Sequence, residues 1–210
     1  MTAVAPASLA SPAGPEQLAA PALAERLQGG SLALFPTDTL PALAASPLHA
    51  GQIWRLKRRP PDKPLILMAA TLEQLRPGLG QPWQPEWLEL AQVVWPGAVT
   101  LVLPASGPWA EALHPGGSSL GLRIPACDQA LELLRCSGPL ATTSANRSGE
   151  AAVTTAAAAA ALFPQVPQLG PEPWPAAGGI ASTVMGWSPS GWRVLRAGAN
   201  LPPGLRLEGG

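Results

Sequence analysis

The sequence predicts an α/β fold in which one mixed sheet is flanked by helices. Short apolar runs, rich in leucine and valine, alternate with segments whose apolar residues recur at helical spacing. Hydrophobic residues make up 47% of the 210-residue chain, which suits one domain with a sizeable core. Prolines and glycines separate the runs, and no internal repeat is visible. Together these observations favour a single α/β domain.

The predicted helices begin and end at recognisable signals. The first has leucines spaced for one buried face, with Pro21 either breaking or starting it and two glycines ending it. Thr71 opens a short helix with a capping-box pattern, and Thr154 or Thr155 caps an alanine-rich one. The longer predicted helices span residues 16–28, 49–59, 86–94, 128–137 and 153–163.

The predicted strands are apolar runs bounded by turn residues, and several are rich in β-branched side chains. Some of them lead directly into polar segments, which suits residues that line a site. The strands span residues 31–36, 63–69, 98–103, 119–125, 139–141 and 192–195, with a loop and strand at 178–184.

The predicted domain covers residues 16–207 and follows an Ala/Pro-rich stretch, residues 1–15, that we expect to be a flexible tail. This stretch has no basic region before an apolar one, so it does not match a signal peptide. No apolar run is long enough to cross a membrane. Cys127 and Cys136 have no partners at metal-ligand spacing, so we expect no metal site held by the protein. These features predict a soluble cytoplasmic protein.

Basic residues concentrate in one short segment. Five of the thirteen lie within residues 55–63, and they include both lysines of the chain, Lys57 and Lys63. Because the formal net charge is zero, any attraction for anions must be local. Such mixed lysine and arginine density suits a polyanionic substrate, typically a triphosphate. A solvated helix end whose cations complement the helix dipole is the other interpretation.

Two hydroxyl-rich segments and one isolated arginine are further candidates for a site. Residues 37–39 and 142–149 each follow a predicted strand, and backbone N–H groups beside small side chains can approach an anion. Ordinary turn and capping chemistry explains the same residue types. Arg123 lies in an apolar strand, where burial requires an anionic partner. An edge strand or an internal salt bridge would also account for it.

Several catalytic motifs are absent from the sequence. His49 and His114 have no triad partners beside them, and there is no zinc box, Walker A loop or dinucleotide-binding glycine motif. Catalysis by a side-chain nucleophile is therefore disfavoured. Scattered cations and hydroxyls are instead suited to positioning and neutralising phosphates.

Seven segments, in this order, resemble the YrdC family, the TsaC-type threonylcarbamoyl-AMP synthases of tRNA modification. Their most specific part is a Lys-x-Arg pair combined with Ser-x-Asn. The segments are PTDT at 36–39, KRRPPDKPL at 57–65, WPGAVTLVL at 95–103, LGLRIP at 120–125, TSANRSG at 143–149, GGIASTV at 178–184 and VLRAGA at 194–199.

The resemblance implies a twisted sheet with a basic concave face. It also implies that L-threonine, bicarbonate and ATP, with Mg²⁺, are converted to threonylcarbamoyl-AMP and pyrophosphate for the t6A modification of tRNA. Contact with tRNA or double-stranded RNA and with other proteins of the t6A pathway is implied as well. No membrane partner is expected.

The resemblance also assigns roles residue by residue. The implied catalytic residues are Lys57, Arg59, Ser144 and Asn146. The implied ATP contacts are Arg59, Lys63, Ser119, Ser144 and Arg196. The implied threonine contacts are Thr39, Arg123, Thr142 and Ser182, with Arg123 holding the threonine carboxylate through two hydrogen bonds.

This chain departs from the family pattern near the implied threonine pocket. Leu40-Pro41-Ala42-Leu43 replaces the usual Val-Tyr-Gly-Leu, and Met68 stands where relatives often place a polar residue. The chain would also lack the extra C-terminal domain of longer relatives. The alternative function is a divergent or non-catalytic YrdC-like protein that binds nucleotide or RNA. A carbamoyl-transfer domain like that of hydrogenase-maturation proteins is disfavoured, because no Cys-x-x-Cys pair is present.

Overall fold

The computed structural model describes residues 15–60 and 62–201. Within them, ten strands form one sheet and seven α-helices surround it. The strands are β1 (Gln17–Leu18), β2 (Ala33–Phe35), β3 (Ala42–Ala45), β4 (Ile66–Met68), β5 (Val99–Pro104), β6 (Ser119–Arg123), β7 (Leu140–Ser144), β8 (Gln168–Leu169), β9 (Thr183–Ser188) and β10 (Gly191–Arg196). The helices are α1 (Ala20–Gln28), α2 (Gly51–Lys57), α3 (Leu72–Leu75), α4 (Pro85–Val94), α5 (Pro108–Leu113), α6 (Asp128–Ser137) and α7 (Ala156–Leu162).

The sheet is mixed, and its strand order is β1-β8-β2-β3-β7-β4-β6-β5-β9-β10. β4 pairs in parallel with β6, and β5 with β9, whereas β3 and β4 both pair antiparallel with β7. Helices α1 and α6 pack against each other, α2 packs on β3, and α7 packs on β2. The predicted class, one mixed sheet flanked by helices, is confirmed. The basic concave face stays a prediction.

The central strands are buried on both faces. Every residue of β2 and β3 is buried, as are Leu120, Leu122 and the rest of β6 beyond its first residue. Such strands are continuous apolar runs and do not alternate with polar residues, as expected where both faces of a strand are covered. Trp87 and Phe163 are the largest aromatic contributions from the helical layers. The core therefore lies along the middle of the sheet.

Most predicted elements are present with shifted ends. The first helix begins at Ala20, with Pro21 in its first turn, and the two residues before Ala19 form β1. The predicted helix 49–59 is shorter, because a 3₁₀ turn precedes α2 and Arg58 takes a left-handed conformation with φ 50° after it. Thr155 caps α7 by accepting a hydrogen bond from the Ala158 amide. The first predicted tail residues, 1–14, and the predicted domain end, 202–207, lie outside the described residues.

Two differences from the prediction bear on the site. Strand β7 continues to Ser144, so Thr142 and the two residues after it belong to the sheet and not to a loop. Strand β3, which was not among the predicted strands, starts at Ala42 directly after Pro41. The alanines of β3 have weak strand propensity, and pairing with β2 on one side and β7 on the other overrides it. The unusual segment after Thr39 is thus the entry to a central strand.

Helix length bears on membrane association. Within the part of the chain that the structure describes, each helix is too short or too polar to cross a bilayer.

Candidate functional site

A cavity of about 160 Å³ brings together residues from five strands and from loops that adjoin the sheet. Seven of the eleven residues that the sequence assigns to a site line it. They are Thr39, Arg59, Arg123, Thr142, Ser144, Ser182 and Arg196. All four residues assigned to threonine are in this set. Leu40, Ala42 and Met68 also contribute to the wall, so the departures from the family pattern lie in the cavity itself.

Arg123, the last residue of β6, is 4% exposed at the cavity wall. Its Nη2 donates to Asp38 Oδ1 at 2.6 Å, its Nη1 to Thr39 Oγ1 at 2.8 Å and its Nε to the Gly97 carbonyl at 3.0 Å. Burial lowers the pKa of the guanidinium, and the Asp38 carboxylate opposes that effect. The assignment of the threonine carboxylate to Arg123 stays a prediction, because these three bonds leave two N–H donors of the guanidinium unused. The partner within the chain is Asp38, and the internal salt bridge is present.

The Thr37–Leu40 turn holds this pair in place. Thr37 Oγ1 donates to the Leu40 carbonyl at 2.7 Å and accepts from the Thr39 and Leu40 amides at 3.1 and 3.2 Å. Since the Thr37 proton is used, the 3.0 Å contact between the two hydroxyls requires Thr39 to donate to Thr37. Thr39 in turn accepts from Arg123. Sequence reasoning placed residues 37–39 at a candidate site, but it gave a binding role to Thr39 alone and no role to Thr37 or Asp38.

Ser182 and Arg196 close the other side of the cavity. Ser182 precedes β9 and shares a 2.9 Å hydrogen bond with the Thr100 hydroxyl. Arg196, the last residue of β10, donates to the Ser182 carbonyl at 2.8 Å, and burial lowers the pKa of its guanidinium. Thr142 donates to the Ile66 carbonyl across the β4–β7 pair at 3.0 Å. The Thr142 hydroxyl therefore has a fixed orientation, and the hydroxyls of Thr142 and Ser182 both keep a lone pair for a ligand.

Lys57 is the last residue of α2 and is 2% exposed. Its ammonium donates to the Ser144 carbonyl and, at 3.4 Å, to Thr143 Oγ1. Burial, with a further contribution from the Arg59 charge, lowers the pKa of Lys57 from 10.5 to about 8. Lys57 is connected to the main cavity through Thr143 and Ser144, and it lines a neighbouring cleft together with Arg147.

Arg59 organises the loop that follows α2. Its Nε donates to the Lys63 carbonyl at 3.1 Å and its Nη2 to the Pro64 carbonyl at 3.0 Å. A second cavity, of about 290 Å³, lies on the other side of Arg59 and contains Lys63 and Ser119. The two cavities share Arg59 and Arg196, so they meet at a pair of arginines. Four of the five residues assigned to ATP line the second cavity.

Asn146 lies outside both cavities. Its Oδ1 accepts from Ser144 Oγ at 2.5 Å, and its Nδ2 donates to the carbonyls of Arg147 and Glu150 at 2.9 and 2.8 Å. The side chain therefore orients Ser144 and fixes the loop after β7. Carboxylates, by contrast, are scarce around the site. Among the described residues, no three His, Cys, Asp or Glu side chains gather as metal ligands would.

Comparison with known proteins gives consistent results. The Sua5/YciO/YrdC family model, described as "Telomere recombination", matches residues 25–198. A threonylcarbamoyl-AMP synthase of Pyrococcus abyssi is 38% identical over 134 residues, which cover 62% of this chain and 39% of that protein. One of Stenotrophomonas maltophilia is 37% identical over 132 residues, 59% of this chain and 69% of that protein.

A solved structure shows the same fold. The structure of P. abyssi Sua5 complexed with L-threonine superposes with a TM-score of 0.79 at 33% identity, covering 85% of this chain and 54% of that one. The chain thus spans well under two thirds of the P. abyssi protein. The family model, by contrast, covers most of this chain and includes every residue of both cavities. The chain belongs to the Sua5/YciO/YrdC family.

Proposed function

We propose that this protein is an L-threonylcarbamoyladenylate synthase, a nucleotidyltransferase that forms threonylcarbamoyl-AMP and pyrophosphate from L-threonine, bicarbonate and ATP. One observation carries the proposal. The cavity that holds Thr39, Arg123, Thr142 and Ser182 adjoins the cavity that holds Lys63 and Ser119, and Arg59 and Arg196 stand at their junction. Two ligands in these cavities would meet at two guanidinium groups.

Threonine occupies the first cavity in this proposal. Arg123 uses three of its five N–H donors within the protein, and the other two are available for the substrate carboxylate. Asp38 neutralises the arginine and fixes the plane of its guanidinium. The hydroxyls of Thr142 and Ser182 offer lone pairs to the amine, and Met68 and Ala42 give the methyl group an apolar wall.

ATP occupies the second cavity, with its phosphates towards the first. Val102, Val184 and Gly121 provide an apolar surface for the base, and Lys63 and Asp62 line the same cavity. Arg59 and Arg196 then lie beside the α-phosphate, where the two substrates react. The nearby charge of Lys57 adds to this positive field.

The reaction needs orientation and charge stabilisation more than covalent help from the protein. The threonine amine and bicarbonate give a carbamate and water. A carbamate oxygen then attacks the α-phosphorus, and the bond to the β-phosphate oxygen breaks as pyrophosphate leaves. Negative charge on the phosphate oxygens is stabilised by Arg59, Arg196 and Lys57, and one such donor contributes about 3 kcal/mol. Ser144, oriented by Asn146, adds a hydroxyl beside the phosphates.

The proposed Mg²⁺ would enter the site bound to the ATP phosphates. The donor set of the cavities does not fit a metal held by the protein, because Asp38 is paired with Arg123 and Asp62 is the one carboxylate among the residues that line the two cavities. No step is therefore assigned to the metal. The product would serve t6A modification of tRNA in the cytoplasm, and the zero net charge predicts weak contact with RNA.

The test is threonine-dependent release of pyrophosphate from ATP in the presence of bicarbonate and Mg²⁺. We expect release by the unaltered protein and a large loss in the Lys57→Ala/Arg59→Ala variant. ATP binding without pyrophosphate above that variant's level would contradict the synthase and favour the divergent nucleotide-binding protein.

A further inference from the structure

We propose that His114 is the residue that recognises adenine in the second cavity, by accepting a hydrogen bond from the exocyclic amine of the base. This inference rests on the proposed binding of ATP there and adds the determinant of base specificity. His114 directly follows α5 and lines the same cavity as Lys63, Ser119 and Arg196. Sequence reasoning gave this histidine no role.

The tautomer of His114 is fixed by its neighbour. Its Nδ1 lies 2.8 Å from the Ser119 carbonyl oxygen. A carbonyl can only accept, so Nδ1 carries the proton in the neutral ring, and Nε2 is left with a lone pair. The imidazole therefore presents an acceptor, and not a donor, at its far edge.

The ring is also held in position. A Cβ on Gly117 would overlap the His114 ring atoms Nδ1, Cγ and Cε1, so the ring packs directly over a residue that must be glycine. The Gly117 amide donates to the His114 carbonyl at 2.9 Å and closes the turn beneath it. Two constraints, one on the ring edge and one on its face, leave the Nε2 edge to face outwards.

His114 Nε2 has no hydrogen-bond partner among the described residues, and it is not one of their buried unpaired atoms. It is thus accessible on a half-buried side chain that lines the cavity. The apolar surface beside it, from Val102 and Val184, suits a flat base. Adenine offers an amine donor at position 6 of its ring, whereas guanine offers a carbonyl oxygen, which an acceptor would repel.

The other polar groups of this cavity discriminate less. The Ser119 hydroxyl can donate or accept, so it suits either base. The Thr100 hydroxyl is engaged with Ser182. The Asp62 carboxylate opposes the lowering of the pKa of Arg59 by burial, so it lies near Arg59 at the phosphate end. Among the side chains that line this cavity in the described residues, His114 is therefore the one that is fixed as an acceptor near the apolar base surface.

The test compares nucleotides by calorimetry without threonine, using ATP, GTP and purine riboside triphosphate, which lacks the exocyclic amine. We expect the unaltered protein to bind ATP roughly tenfold more tightly than purine riboside triphosphate, as one hydrogen bond predicts. His114→Phe keeps a flat ring without the acceptor. It should lower ATP affinity to the level of the analogue and leave the affinity for the analogue unchanged.

Two further variants keep the inference falsifiable. Gly117→Ala retains the histidine but displaces its ring, so it should reduce the preference for ATP over the analogue in the same way. His49→Phe is the matched control. His49 is also half-buried, packs against a glycine and makes a hydrogen bond through Nδ1, in its case with Ser46. It lies outside both cavities. It should leave all three affinities unchanged.

Three results would overturn the inference. One is equal binding of ATP and the analogue by the unaltered protein. Another is an equal loss of affinity for ATP and for the analogue in His114→Phe, which would mean that the histidine only supports the cavity wall. Absence of ATP binding would overturn this inference and the proposed function together. ATP binding with the expected preference but no pyrophosphate release would overturn the proposed function alone.

Discussion

Asp38 Oδ1 accepts a 2.6 Å hydrogen bond from Nη2 of Arg123, whose side chain is only 4% exposed. The aspartate comes from the loop after β2 and the arginine from the end of β6, so the pair joins two distant parts of the sheet. A buried arginine whose carboxylate partner is removed keeps its charge without compensation. The pair therefore connects two parts of the fold, and its arginine forms part of the wall of the proposed threonine site.

Asp38→Ala should lower the free energy of unfolding by about 3–5 kcal/mol, because it leaves the Arg123 charge buried and unpaired. Urea denaturation measures this. Asp62→Ala removes an exposed carboxylate and should change stability by less than about 0.5 kcal/mol. Equal, small effects of the two substitutions would show that the ion pair has no structural role.

Arg123→Lys should weaken threonine binding at least about tenfold and change ATP binding little. Lysine keeps the positive charge but cannot hold Asp38, Thr39 and a substrate carboxylate together, because it lacks the planar set of donors. Calorimetric titration with each ligand separates the two effects. Arg26→Lys, in the exposed pair with Glu16, is the control. An equal loss of both ligands would assign Arg123 a different role.

Lys57→Met should change the pH dependence of stability. Lys57 has a pKa of about 8 in the folded protein and 10.5 ordinarily, so unfolding takes up a proton between these values. The unaltered protein should therefore gain stability relative to the variant as the pH rises from 8 to 10.5, by up to about 3 kcal/mol. Urea denaturation of both proteins across this range provides the measurement. A constant difference would contradict the lowered pKa.

Asn146→Ala should loosen the loop after β7 and disorient Ser144. Amide hydrogen exchange should become faster in residues 147–150, and pyrophosphate formation should fall about tenfold or more, because small misplacements of reacting groups slow catalysis strongly. Asn200, the other asparagine of the chain, is exposed and outside both cavities, so Asn200→Ala is the control. Slower turnover with unchanged exchange would show that Asn146 acts in another way.

Much of the fold could be predicted because its strands are apolar runs that turn residues separate from one another. The helix at Asp128–Ser137 was predicted with its bounds intact, since its leucine spacing and the following glycine agree. Strand β3 could not be predicted from local pattern. Its alanines become a strand only because β2 and β7 supply hydrogen bonds on both sides, which is information from distant parts of the chain.

The sequence predicted which residues gather in the candidate site better than it predicted the hydrogen bonds and ion pairs between them. Hydroxyl and basic side chains at strand ends were recognisable as residue types, and the resemblance fixed which of them to group. The pairing of Arg123 with Asp38 could not be read from the sequence, because it depends on the register of separate strands. The orientation of His114 likewise depends on its contacts with Ser119 and Gly117 in three dimensions.

The most direct test of the central claim is mass spectrometry of the product formed from carbon-13 bicarbonate, L-threonine and ATP. We expect threonylcarbamoyl-AMP that carries the label, formed only when all three substrates are present, and no such product from the Lys57→Ala/Arg59→Ala variant. If the unaltered protein, with ATP and threonine both shown to bind, yields no labelled adenylate, the two adjoining cavities do not serve this reaction and the claim is contradicted.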